Sequence, residues 1–98
     1  MATTKKFVTG QVVFTRGVNA EVARDAEFAK LVLASLRRHA SGDWGVLDAD
    51  DKRENDRALD AGDRLLSAYP RASGDGEKIW IITEADRSST CVLFPSEY

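Results

Sequence analysis

Hydrophobic and polar positions alternate differently in the two halves of the chain. Near the start, GQVVFTRGV carries Val12, Val13 and Phe14 and ends beyond Gly17, which predicts a short strand leaving through a glycine-containing turn. From Ala20 to Ala40 the period lengthens. Phe28, Val32 and Leu36 recur every four residues, with Val22, Ala26, Ala29 and Leu33 beside them. This is the apolar stripe of an amphipathic helix. Asn19 is placed to cap its start, Arg37, Arg38 and His39 set positive charge in its last turn, and Gly42 stops it. A second helix is predicted from Asp48 to Ala61, with Asp48 as N-cap, Asp50 and Asp51 in the first turn, and Gly62 just past its end. Its apolar residues are few (Ala49, Ala58, Leu59 and Ala61), so it should pack by a narrow seam.

From Leu65 the period becomes two. LLSAY, KIWIIT and STCVLF are rich in branched and aromatic residues, and the short links PRASGDGE and EADRS predict antiparallel hairpins. The expected architecture is one α+β domain over residues 1–98, in the order β-α-α-β-β-β. Its antiparallel sheet is a three-stranded C-terminal meander plus the N-terminal strand, its helices lie mainly on one face, and residues 1–8 form a flexible tail. Both faces of the meander carry apolar side chains. With one long helix to cover a single face, Trp80, Ile82, Val92 and Phe94 are expected to leave a surface that another chain covers.

Composition narrows the function classes. With 98 residues, 43% hydrophobic and 31% charged, the chain is an ordinary globular domain, and a net charge of -2 gives no basic excess of the kind nucleic acid demands. Direct binding of nucleic acid through Lys5, Lys6, Arg16, Arg37 and Arg38 is therefore the lesser alternative. The lone Cys91 reads as a structural thiol in a reducing compartment. No apolar run approaches the length of a membrane span and no signal-peptide pattern opens the chain, so a cytoplasmic location is expected, with no membrane partner.

Three stretches invite a chemical reading. In SGDWGVLDADDKREND the carboxylates lack the glycine and terminal glutamate of a calcium loop, and one His with one Cys cannot assemble the usual transition-metal set, so no cofactor or metal is expected. Asp50, Asp51 and Glu54 alternate with Lys52, Arg53 and Arg57, the pattern of a solvated helix. Such a face can also compete with nucleic acid for a basic groove. Trp44, between Gly42 and Gly45, either plugs the end of the first helix or anchors a partner. In TEADRSST, Glu84, Asp86 and Arg87 stand in a polar hairpin loop where Asp86 can cap turn amides, with recognition as the alternative. A serine nucleophile there would need a base, and nothing in the sequence brings His39 to it.

GDWG, RLLSAY, KIWIITEADRSST and the terminal PSEY, in that order, resemble a family of small bacterial proteins of unassigned function, often labelled plasmid-related proteins. The likeness covers about residues 10–98 and is strongest from Gly42 onward. It implies carriage on a mobile element and carries over no catalytic residue. The reading at this level is a non-enzymatic protein-binding module, an inhibitor of a bacterial defence complex of the anti-CRISPR or anti-restriction type. Its binding residues are Trp44, Asp50, Asp51, Glu54, Glu84, Asp86 and Arg87, and a homodimer is a further alternative.

Overall fold

The computed structural model describes residues 6–71 and 76–98. Strand β1 (Gln11–Phe14) leads into helices α1 (Arg16–Arg24), α2 (Ala26–Ala40) and α3 (Ala49–Ala61). Strands β2 (Leu65–Tyr69), β3 (Ile79–Thr83) and β4 (Ser89–Leu93) follow, and a 3₁₀ turn (Pro95–Glu97) closes the chain. The class is α+β, and the C-terminal strands form the expected antiparallel meander.

Two features depart from expectation. The sheet is mixed, in the order β1-β4-β3-β2, because β1 runs parallel to β4, with Val12 beside Thr90 and Phe14 beside Val92. Alternation fixes which side chains share a face, but a strand with no hairpin to its neighbour has no local signal for direction. The predicted long helix is also two helices. Asp25 adopts an extended conformation (φ -130°, ψ 107°), and its carboxylate accepts from the amides of Glu27 and Phe28, ending α1 and capping α2. The first start signal lies earlier too, since Thr15 rather than Asn19 caps α1 and Gly17 is helical.

The core forms on one face of the sheet. Val18, Phe28 and Val32 from α1 and α2 bury Tyr69, Ile79, Ile81 and Val92, with Phe14, Leu36 and Phe94 packed around them. A second cluster joins Trp44, Ala58 and Leu65, with Phe7, Leu47 and Leu59 at its margin, and seats α3 by the narrow seam its sequence predicts. Phe7, expected in the tail, is thus docked, and the Lys6 amide donates to Ala40 O at 2.8 Å. Residues 1–5 of that tail, and Gly74 and Asp75 of the PRASGDGE link, lie outside the described residues.

Residues of GDWG, RLLSAY and PSEY have structural tasks. Gly45 sits at φ +77°, where an added Cβ would stand 1.8 Å from Ala68 O, so only glycine fits. The Tyr69 hydroxyl donates to Asp43 O at 2.6 Å, and burial pushes its pKa up. Glu97 of PSEY accepts from Gly17 N at 2.9 Å and from the Thr15 hydroxyl at 2.5 Å, holding a carboxylate at the α1 N-terminus. Tyr98 packs edge-on against Trp80 and lies under the Arg64 guanidinium.

Candidate functional site

The residues singled out from sequence do not converge. Trp44 is 3% exposed, and its indole N–H donates to Asp56 Oδ1 at 2.9 Å. It is the plug over the end of α2, stacked on Phe7 and edge-on to His39, and a buried ring cannot anchor a partner. Arg87 is likewise committed. It sits at φ +61° in the β3–β4 turn, and its guanidinium donates to Asp63 O at 2.7 Å and Glu84 O at 3.1 Å. It also reaches Ala58 O, tying the turn to the C-terminal end of α3, where the helix dipole favours a cation. Asp86 accepts from Ser88 N at 3.0 Å, which makes it the turn cap, and hydrogen bonding from the Ser88 side chain, then from its amide, holds the carboxyl below the usual range. Glu84 stays at the surface, 3.7 Å from Arg64.

Asp50, Asp51 and Glu54 are exposed on the first half of α3, away from the Arg87 turn at its other end. Asp51 donates its backbone N–H to the Asp48 cap at 2.8 Å, Asp50 pairs with Arg53, and Glu54 pairs with Arg57. Two of the three carboxylates are therefore locally matched by cations one turn on. Of the basic residues, Arg38 is bound by Asp43 at 2.7 Å and lies over the Tyr69 ring, while Arg37 has no ion-pair partner among the described residues. Also among the described residues, no group of three or more metal-ligating side chains gathers, and no helix is long and apolar enough to cross a membrane.

A feature missed in the sequence lies beneath this surface. His39 is fully buried, with Nδ1 2.5 Å from Ser67 Oγ and Nε2 2.8 Å from Thr83 Oγ1. Thr83 Oγ1 is 2.7 Å from Thr90 Oγ1, which donates to Thr9 O at 2.7 Å. Each hydroxyl has one proton, so the chain can be ordered from its end. Thr90 spends its proton on Thr9 O and must accept from Thr83, so Thr83 accepts from His39 Nε2–H and Ser67 donates to Nδ1. The ring is neutral in this arrangement, and burial, aided by the Arg87 charge, lowers its pKa to about 4. The base and a serine do meet, but inside the core between the Phe7 and Trp44 rings.

The exposed apolar surface lies elsewhere than expected. Ile82 and Val92 are buried, and Trp80 and Phe94 half-buried, so the meander does not present the open face anticipated from helix cover alone. The cover comes from Phe94 packing on Phe28 and from Tyr98 against Trp80. Among the described residues, the large apolar side chains left exposed are Val12 (41%), Val13 (40%) and Leu33 (56%) on or beside β1, Val8 (68%) ahead of the strand, and Val46 (54%) and Tyr98 (70%) elsewhere. Val12 joins Thr9, Leu33, Leu36, Arg37 and Ala40 around a shallow groove of about 200 Å³ between β1 and α2. Val13 lies on the opposite face of the sheet, beside Cys91.

The two sheet edges are treated differently. On β2 the outward backbone groups are occupied. Leu66 exchanges bonds with the Asn55 side chain, Ala68 N donates to Trp44 O, and Ala68 O accepts from Val46 N at 2.9 Å. On β1, Gln11 N and Thr15 N point to β4, so alternation turns the amides and carbonyls of Val12 and Phe14 to the open side. No charge, proline or bulge interrupts Gln11–Phe14, the devices that usually protect such an edge.

No family model matches the chain, and no curated protein or solved structure matches it.

Proposed function

We propose that this protein is a non-enzymatic protein-binding module whose contact surface is the β1 edge with the neighbouring face of α2. One observation carries the reading. Val12 and Leu33 are exposed on the helix face of β1 and Val13 on its other face, beside strand groups that have no partner among the described residues, whereas the opposite edge is capped. An apolar, hydrogen-bond-competent edge is a standard template for pairing with another chain. A binding role rather than catalysis is supported by where the reactive groups lie. His39 is sealed, and Asp86 and Arg87 are occupied in holding a turn.

The resemblance to plasmid-related proteins supports an origin on a mobile element, and a bacterial nucleic-acid-targeting defence complex is the target class we favour on that ground. The exposed carboxylates Asp50, Asp51 and Glu54 on α3 are then the face offered to a basic groove, with Glu84 as an outlying member. The test is capture from a bacterial lysate by immobilised wild-type protein and by the Val12→Asp, Leu33→Asp double variant, with circular dichroism confirming the fold. The double variant should lose its partner, whether another protein or its own chain. An unchanged set of captured proteins would contradict the assignment of this surface.

A further inference from the structure

We infer that the occupant of the β1 edge is a second copy of this chain, paired antiparallel through β1 about a two-fold axis at Val13, so that two four-stranded sheets become one. The inference rests on the reading of the β1 edge as a protein-binding surface and names its partner.

Self-complementarity carries it. The outward groups of β1 belong to Val12 and Phe14, the residues on either side of Val13. With Val13 opposite its own copy, Val12 of one chain stands opposite Phe14 of the other, and the pair exchanges both N–H···O=C bonds. The symmetric pair does the same, so every outward group of the strand is satisfied. Centring the axis on Val12 would also set outward groups opposite one another, but Phe14 would then face Gly10 beyond the strand, so the Val13 centre is the one that satisfies both outward residues within Gln11–Phe14.

The side chains agree with this register. Val13, 40% exposed on the face away from the helices, would meet its own copy in the close, non-bonded pair, where two valines pack well. On the helix face, Val12 and the groove beside Leu33 and Leu36 would face the same apolar surface of the second chain. Gln11–Phe14 carries no charge, so no like-charge pair forms along the strand seam. A peptide lying only in the α2 groove would use Val12 and leave Val13 in water, whereas continuation of the sheet uses both.

Light scattering on the full chain across a concentration series should give a dimer mass. The Val13→Lys variant, which suits an open edge strand and should fold, places like charges across the axis and should weaken association at least about tenfold. Val13→Glu alone should weaken association likewise, and mixing it with Val13→Lys should restore a dimer containing one of each. In a Cys91→Ser background, Val13→Cys should form a symmetric cross-link on oxidation, since such a pair has Cα atoms about 4.5 Å apart. The inference is overturned by a wild-type chain that stays monomeric at ~100 μM, well above typical dimer dissociation constants. It is equally overturned by a dimer that survives Val13→Lys and does not cross-link. A monomer that still captures another protein through Val12 and Leu33 would sink self-pairing alone and leave the proposed binding surface standing.

Discussion

His39 illustrates what a single residue contributes when its partners come from distant parts of the chain. Its ring is held by Ser67, Thr83 and, through Thr90, the carbonyl of Thr9, so one histidine links α2, three strands and the approach to β1. Because folding lowers its pKa from 6.5 to about 4, the unfolded chain binds a proton that the folded one refuses between those values. Its contribution is complete above the unfolded value and is lost as pH falls toward 4. At about 1.4 kcal/mol per pH unit, the loss approaches roughly 3 kcal/mol. Urea unfolding from pH 7 to pH 4.5 should show this decline, and His39→Gln should remove most of the slope; an equally steep slope in the variant would contradict the assignment. The sequence shows the histidine but not its partners, which lie 28 and 44 positions away. Some local caps were legible because their partners are near, although Thr15 and Asp25 were not. Asp48, Gly62 and Asp86 stand where their spacing puts them. The bonds of Arg87 were not legible, because besides its own turn they reach Ala58 in α3 and Asp63 just beyond that helix.

Among the elements, strands of period two were fully legible, since branched and aromatic runs bounded by short polar links admit few other folds. The helix break was not, because the apolar stripe continues through it from Val22 to Ala26 and Ala29. The available signal was Asp25 followed by Glu27, an N-cap with an acidic first turn. Helix α1 is short, at 9 residues, and its first turn contains no acidic residue of its own. Glu97 supplies that charge from the far end of the chain, and bonding to Thr15 keeps its carboxyl below the usual range. Replacing Glu97 with alanine should therefore cost about 1 kcal/mol of stability, the usual worth of a cap, with little change in partner capture. A loss near zero in urea unfolding would mean that α1 is held by packing of Val18 and Val22 alone.

For the molecule as a whole, the sequence reading set the uncovered apolar surface at Trp80, Ile82, Val92 and Phe94, which the structure buries or half-buries. Cover was reckoned from helices, whereas Tyr98, Phe94 and the segment around Trp44 close much of the meander. What stays open is set by topology. Strand β1 becomes an edge because it adds to the outer side of β4, while Trp44–Val46 and Asn55 seal the β2 edge. A pairing through β1 would place the two α3 helices beyond the outer β2 edges, leaving Asp50, Asp51 and Glu54 of each chain at opposite ends of the assembly.

Amide hydrogen exchange at Val12 and Phe14, compared between dilute protein and the assembled state, tests the role of this edge most directly. Both amides should exchange rapidly in the free chain and become strongly protected on assembly, while Leu66 and Ala68 stay protected throughout. Assembly with Val12 and Phe14 still exchanging at their free-chain rates would contradict the account, because the partner would then be held somewhere other than the β1 edge.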